Sequence, residues 1–254
     1  MCFVPRSTIH LTDRTQPTIT KSYMDVQTPL DTLDTLDAEP NFPRGKHHYV
    51  YTCLMPIIEQ VLSTSNPPSY AAILKLDKKV REWTFPENLQ LPEPPGSDYT
   101  SISRILQRTI MFSTREITLM YLHRSYFANA VMEPPYDPLR SKYARSVLAA
   151  YGSACAIIGR MRTLQAHEPR LMERFSIFWS HAFSALVIVA SIVSRAPACP
   201  LSSTAIVEVG KCSAISHRSA ALRTIDALGK IIALRCLKRQ TMHTDLGVSW
   251  SVLL

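Results

Sequence analysis

The sequence predicts an all-α fold, an irregular multi-helix bundle of about seven helices. Three observations carry this. Apolar residues recur at i, i+3, i+4 and i+7 in one segment after another. No segment alternates with period two, and no Gly-rich hairpin signal is present. The 18 prolines cluster between the periodic segments, whereas glycine occurs only 7 times. Proline therefore reads as helix punctuation, and the glycines that phosphate turns of parallel α/β folds require are scarce. With 254 residues and 46% apolar content, the chain can bury the core of one or two globular domains.

Residues 1–45 lack helical period and contain Pro5, Pro17, Pro29, Pro40 and Pro43, with an acidic run from Asp31 to Asp37. They read as an extended, exposed lead-in. A helical domain is expected over 46–240, followed by a short tail, 241–254.

The first helix is predicted over His47–Thr64. Tyr49, Val50, Cys53, Leu54, Ile57, Ile58, Val61 and Leu62 form its core stripe, and Pro56 marks a kink. His47 and His48 have no carboxylate or cysteine at ligand spacing and read as exposed or capping residues. Asn66-Pro67-Pro68 breaks the chain, and Ser69 is placed to cap a second helix. That helix carries Ile73, Leu76, Val80 and Trp83 on one side, with Lys75, Lys78, Lys79 and Arg81 around it. A proline-rich crossing occupies 84–98. A long helix is predicted over Ser101–Met132.

A corner with Pro134, Pro135 and Pro138 follows, and Ser141 stands where an N-cap belongs, opening a helix to Gln165. Ala149, Ala150, Ala154 and Ala156 on that helix would let a neighbour approach closely. Tyr126, Phe127, Tyr143 and Tyr151 lie near the corner and read as the centre of the domain.

Residues 175–194 carry no charged side chain. By length the stretch could span a bilayer. His181, four serines and an unbroken apolar run of only six residues, Ala185–Ala190, point to a buried core helix. That reading predicts that Val187→Asp destabilises the fold by burying an unpaired charge. Pro197 and Pro200 end the stretch, and Ser202 or Ser203 restarts a helix to about Ser216. A last amphipathic helix holds Ala220, Leu222, Ile225, Leu228, Ile231, Ile232 and Leu234, with a basic outer face from Arg218 to Arg239.

Charge is uneven. Residues 1–139 hold 13 Lys/Arg against 15 Asp/Glu, a net of −2, and residues 140–254 hold 15 against 5, a net of +10. The positive residues stand singly, which suits solvated helix faces; a basic half also suits nucleic acid, acidic partners or an anionic membrane surface. The six cysteines are at least 13 residues apart, so no Cys-x-x-Cys pair and no zinc site can be read. Buried reduced thiols of an intracellular protein are expected. Met1–His10 holds no long apolar core, so no signal peptide is expected. No phosphate loop, dinucleotide fingerprint, Gly-x-Ser-x-Gly elbow or His-Glu-x-x-His occurs. His123, His167, His181 and His217 lie far apart. No catalytic, cofactor-binding or metal-binding residue is assigned, and no enzyme activity is expected.

Several segments, in order, resemble one family. Gln16-Pro17-Thr18-Ile19 with Tyr23-Met24-Asp25 resembles a short Arg-Pro-x-x-Ile segment with a downstream aspartate. Tyr70–Asp77, with Trp83, Phe85 and Pro86, resembles the next helix and its exit loop. Leu122-His123-Arg124-Ser125-Tyr126-Phe127 is similar to a Leu-His-Arg-x-Tyr/Phe-Phe helix. Ser141-Lys142-Tyr143-Ala144 with Cys155, and Phe178–Ala185, resemble the closing helices. The family is the fungal binuclear zinc-cluster transcription factors, and the matching part is the later portion of their regulatory "middle homology" domain, over about 13–215.

The resemblance implies a nuclear regulator of transcription whose helical domain responds to a small-molecule effector or a co-regulator, with room for a homodimer and no membrane. The family's six-cysteine DNA-binding module is not in this sequence. Zinc and DNA binding would belong to that missing module, and no cofactor is expected here. The helices that open the regulatory domain are also expected to be missing before Met1, as in a truncated gene product. In family terms His123 and Arg124 read as structural. Two rival readings remain: a single-span membrane protein with its helix at 175–194, and an α-helical enzyme acting on a hydrophobic small molecule.

Overall fold

The computed structural model describes residues 42–61, 68–86, 89–90, 101–134 and 137–213. These residues form seven helices and no strand, the predicted all-α fold. Helix α1 is continuous through three stretches: Phe42–Tyr49, a π-helical turn Val50–Leu54, and Met55–Val61. It is followed by α2 (Tyr70–Glu82), α3 (Ile102–Met132), α4 (Ala144–His167), α5 (Pro169–Arg174), α6 (Ser176–Arg195) and α7 (Pro200–Ser213). The chain divides into two compact units, Met1–Leu122 and His123–Leu254, and the division falls inside α3. The acidic run at 31–37 and the amphipathic stripe at 220–234 lie outside the described residues.

In the first unit, α1 begins at Phe42, so residues 42–45, assigned to the lead-in by sequence, are its first turn. Pro43 suits that turn, where a missing N–H costs nothing. Gly45 is buried, and a Cβ there would stand 3.3 Å from Pro86 Cγ. The kink expected at Pro56 takes another form. Proline offers no N–H to the Thr52 carbonyl and its ring crowds that carbonyl. The backbone widens just ahead of it into the π turn, with the Met55 N–H donating to the Val50 carbonyl. Tyr49, Cys53, Leu54, Ile57 and Ile58 are all buried.

Ser69 caps α2 as its sequence predicts: its Oγ accepts from the Ala72 N–H at 3.3 Å. Ile73, Leu76 and Val80 are buried, whereas Lys75, Lys78, Lys79 and Arg81 are exposed. Arg81 Nε bridges both Asp77 oxygens at 2.9 and 3.0 Å, a surface i,i+4 pair of modest weight. The first part of α3 buries several polar side chains. Thr109, Thr114 and Thr118 each donate a hydroxyl to the carbonyl four residues back, at 2.7 Å. This back-bonding satisfies the hydroxyls within the helix itself.

The second unit is organised around α4, α6 and α7. On α4, Val147, Ala150, Ala154, Ile157, Ile158 and Met161 are fully buried, and α4 packs against α6. Ser141 does not cap α4. Its Oγ accepts from the Tyr143 N–H two residues on, at 3.2 Å, forming a local turn, and the helix starts at Ala144. The turn satisfies the hydroxyl before the helical backbone can use it. Pro169 opens α5, which is tied to α6 by Trp179 Nε1 donating to the Met172 carbonyl at 2.7 Å. Pro200, not Ser202 or Ser203, begins α7, because proline is pre-set for a first helical position.

By length and composition α6 could cross a membrane. Ten of its residues are instead buried by the protein itself, among them Phe178, Ala185, Val189 and Ile192. Its outward stripe carries Phe183 and Val187, which is 46% exposed. The expectation that Val187→Asp would place a charge in a core is therefore corrected: the core position is Val189. Ser184 and Ser191 on this helix donate to the carbonyls of Ser180 and Val187, at 2.9 and 2.7 Å.

One pH dependence follows from α6. The Nδ1 atom of His181 is buried without a hydrogen-bond partner, and burial pushes the imidazole down to about 4 from an ordinary value of 6.5. The unfolded chain then takes up a proton that the folded protein refuses. Stability is fully present above about pH 6.5 and is lost as pH falls towards 4. The loss is bounded at about 3 kcal/mol, and partial exposure of the ring reduces it. Urea midpoints measured at pH 7 and pH 4.5 should differ less in His181→Phe than in the parent; an equal difference would remove His181 as the cause.

Candidate functional site

Of the residues singled out by sequence around 121–151, those from His123 onward lie in the second unit. The end of α3 carries His123, Arg124, Tyr126 and Phe127, and the turn before α4 carries Asp137, Ser141, Lys142 and Tyr143. Proline and local polar turns shape this corner. Asp137 Oδ1 accepts from the Leu139 N–H at 3.2 Å, and the Ser141 turn places the next ring. The Tyr126 and Tyr143 rings pack at 4.9 Å between centroids. The Lys142 ammonium lies 5.1 Å from the centroid of the Tyr143 ring, a cation–π contact.

His123 Nδ1 and Ser146 Oγ meet at 2.8 Å. Both side chains are sealed, at 1% and 0% exposure. A histidine next to a serine is also the start of a nucleophile–base pair. The buried contact links α3 to α4. Arg124 is half-buried beside it. Ser146 was missed by sequence reasoning: it reads as one more small residue on α4, and only its placement opposite His123 distinguishes it.

A second polar group lies along α4 and α7. The Tyr151 hydroxyl is buried without a well-formed hydrogen bond. Burial chiefly, with Cys155, Glu208 and Cys199 nearby, pushes its ionisation up. Burial likewise pushes up the thiols of Cys199 and Cys53. A thiol held protonated is a poor nucleophile and a poor metal ligand. Among the described residues Cys53, Cys155 and Cys199 are free thiols, and no group of three His, Cys, Asp or Glu side chains could hold a metal ion.

No family model, curated protein or solved structure matches the chain. The geometry of the corner therefore stands by itself: α3 and α4 linked through a sealed His–Ser pair, with a tilted Tyr–Tyr contact at the corner. His47 and His48 belong to the first unit. His47 stacks on Tyr51 at 6.3 Å, and His48 accepts a hydrogen bond from Trp83. His167 Nδ1 faces the Thr163 carbonyl at 2.8 Å, one turn back along α4. Three of these histidines thus have a local structural partner.

Proposed function

We propose that this chain is part of the helical regulatory region of a fungal zinc-cluster transcription factor, acting in the nucleus through an effector or a partner protein and catalysing no reaction. The observation that carries the reading is the sealed His123–Ser146 pair. It joins the Leu-His-Arg helix to the helix that follows Ser141-Lys142-Tyr143, and both segments are among those on which the family resemblance rests. A bonded, buried pair at that joint suits a domain whose work is to hold one helix arrangement against another. An effector would then act by binding one arrangement better than the other. DNA and zinc belong to a six-cysteine module outside this sequence.

The test is a fusion of the full chain to an unrelated DNA-binding domain, placed before a reporter gene in a fungal host. Reporter output should rise or fall relative to the DNA-binding domain alone. An unchanged output from a folded, nuclear fusion would sink the reading. The unfused chain should leave no footprint on DNA at physiological salt, and a sequence-specific footprint would overturn the assignment of DNA binding to another module.

A further inference from the structure

The first unit contains a polar contact that depends on the charge of one side chain. Trp83 follows α2 directly and adopts an extended backbone. Its ring stands edge-on to Tyr49 and to Phe85, with centroids 5.0 Å away in each case. Its indole Nε1 donates to Nδ1 of His48 on α1, at 3.1 Å. An indole N–H can only donate, so the imidazole must accept, and only the neutral form has a free lone pair at Nδ1. The remaining ring proton is then on Nε2. His48 is exposed, so a proton from water can reach it.

We propose that this contact is an acid-released latch, holding the exit of α2 against α1 only while His48 is uncharged. Protonation sets two N–H groups against each other and breaks the bond. Apolar and aromatic contacts also hold the segment it would free. Pro86 and Leu89 lie against Gly45, one turn before His48 on α1. The Arg115 guanidinium of α3 covers the Phe85 ring at 4.8 Å. Opening the latch therefore loosens a junction at which α1, α2 and α3 of the first unit meet. The charged and titratable groups on the elements it joins carry both signs. On α1 they are Arg44, Lys46 and His47. On α2 they are Lys79, Arg81, which is paired with Asp77, and Glu82, which is paired with Lys78. On α3 they are Arg115 and Glu116, which are paired at 3.0 Å.

The indole N–H resonances of the full chain, labelled with nitrogen-15 at tryptophan, read the latch directly. The sequence has three tryptophans, and Trp83→Phe assigns the one that matters. On acidification the Trp83 indole proton should move upfield as its bond to His48 is lost. The Trp179 indole, bonded to a backbone carbonyl, should stay in place and serves as an internal check on folding. In His48→Gln the side-chain carbonyl can still accept, so the Trp83 signal should remain at its high-pH position throughout. A Trp83 signal that does not move in the parent, or that moves equally in His48→Gln, overturns the latch.

Discussion

Val189→Asp is expected to destabilise the protein by about 3–5 kcal/mol, and Val187→Asp by no more than about 0.5 kcal/mol. The two valines are two residues apart on α6 and have the same side chain. Val189 is fully buried, at 0% exposure, and Val187 is 46% exposed. A carboxylate at 189 would lose its water and gain no partner, the costliest kind of core substitution. At 187 it would stand in water on a stripe whose serine hydroxyls are already bonded back to their own helix. Urea midpoints followed by circular dichroism measure both effects. The contrast also separates two readings of α6. In a bilayer-spanning helix the outward face meets lipid, and a central aspartate there costs about 2.5–3.5 kcal/mol. Equal damage from both substitutions would therefore favour the membrane span over the core helix.

The second large effect concerns the corner. His123→Ala should cost about 3 kcal/mol. Truncation leaves a hole at a site with 1% exposure and removes a hydrogen bond to a side chain with 0% exposure. Ser146→Ala should cost about 1–2 kcal/mol, because the histidine keeps its packing and loses one hydrogen bond. The double variant should be less damaging than the two losses added together, since both single variants remove the same hydrogen bond. Additive losses in that double-mutant cycle would mean that the two side chains do not act as a pair, and the structural role given to His123 would fall.

Helical period made the element types legible. Ser69, followed by Ile73, Leu76 and Val80, marks α2 to within one residue, because a cap and a stripe are both local signals. The uncharged 175–194 stretch announces α6, but its exposed side is invisible in a run where nearly every residue is apolar. Val187 and Val189 differ only in what lies opposite them. Ser141 misleads for a different reason. A serine ahead of a helix can bond the first helical turn or its own local turn, and here the local turn wins. Phe42–Gly45 was hidden by Pro43 and Gly45, residues that usually break helices but here open one and admit a neighbouring proline. The pairing of His123 with Ser146 spans 23 residues, and no short-range pattern could announce it. The amphipathic stripe at 220–234 stays an expectation of the sequence.

The wide turn in α1 has a consequence for phase. Gly45, Tyr49, Cys53 and Ile57 are buried at a strict spacing of four. On an unbroken α-helix that spacing drifts by about 40° per step, so Ile57 would sit about 120° around the cylinder from Gly45. Slower winding through Val50–Leu54 takes back most of that rotation. Both ends of the helix therefore address the same interior, although no ordinary helical wheel would align them.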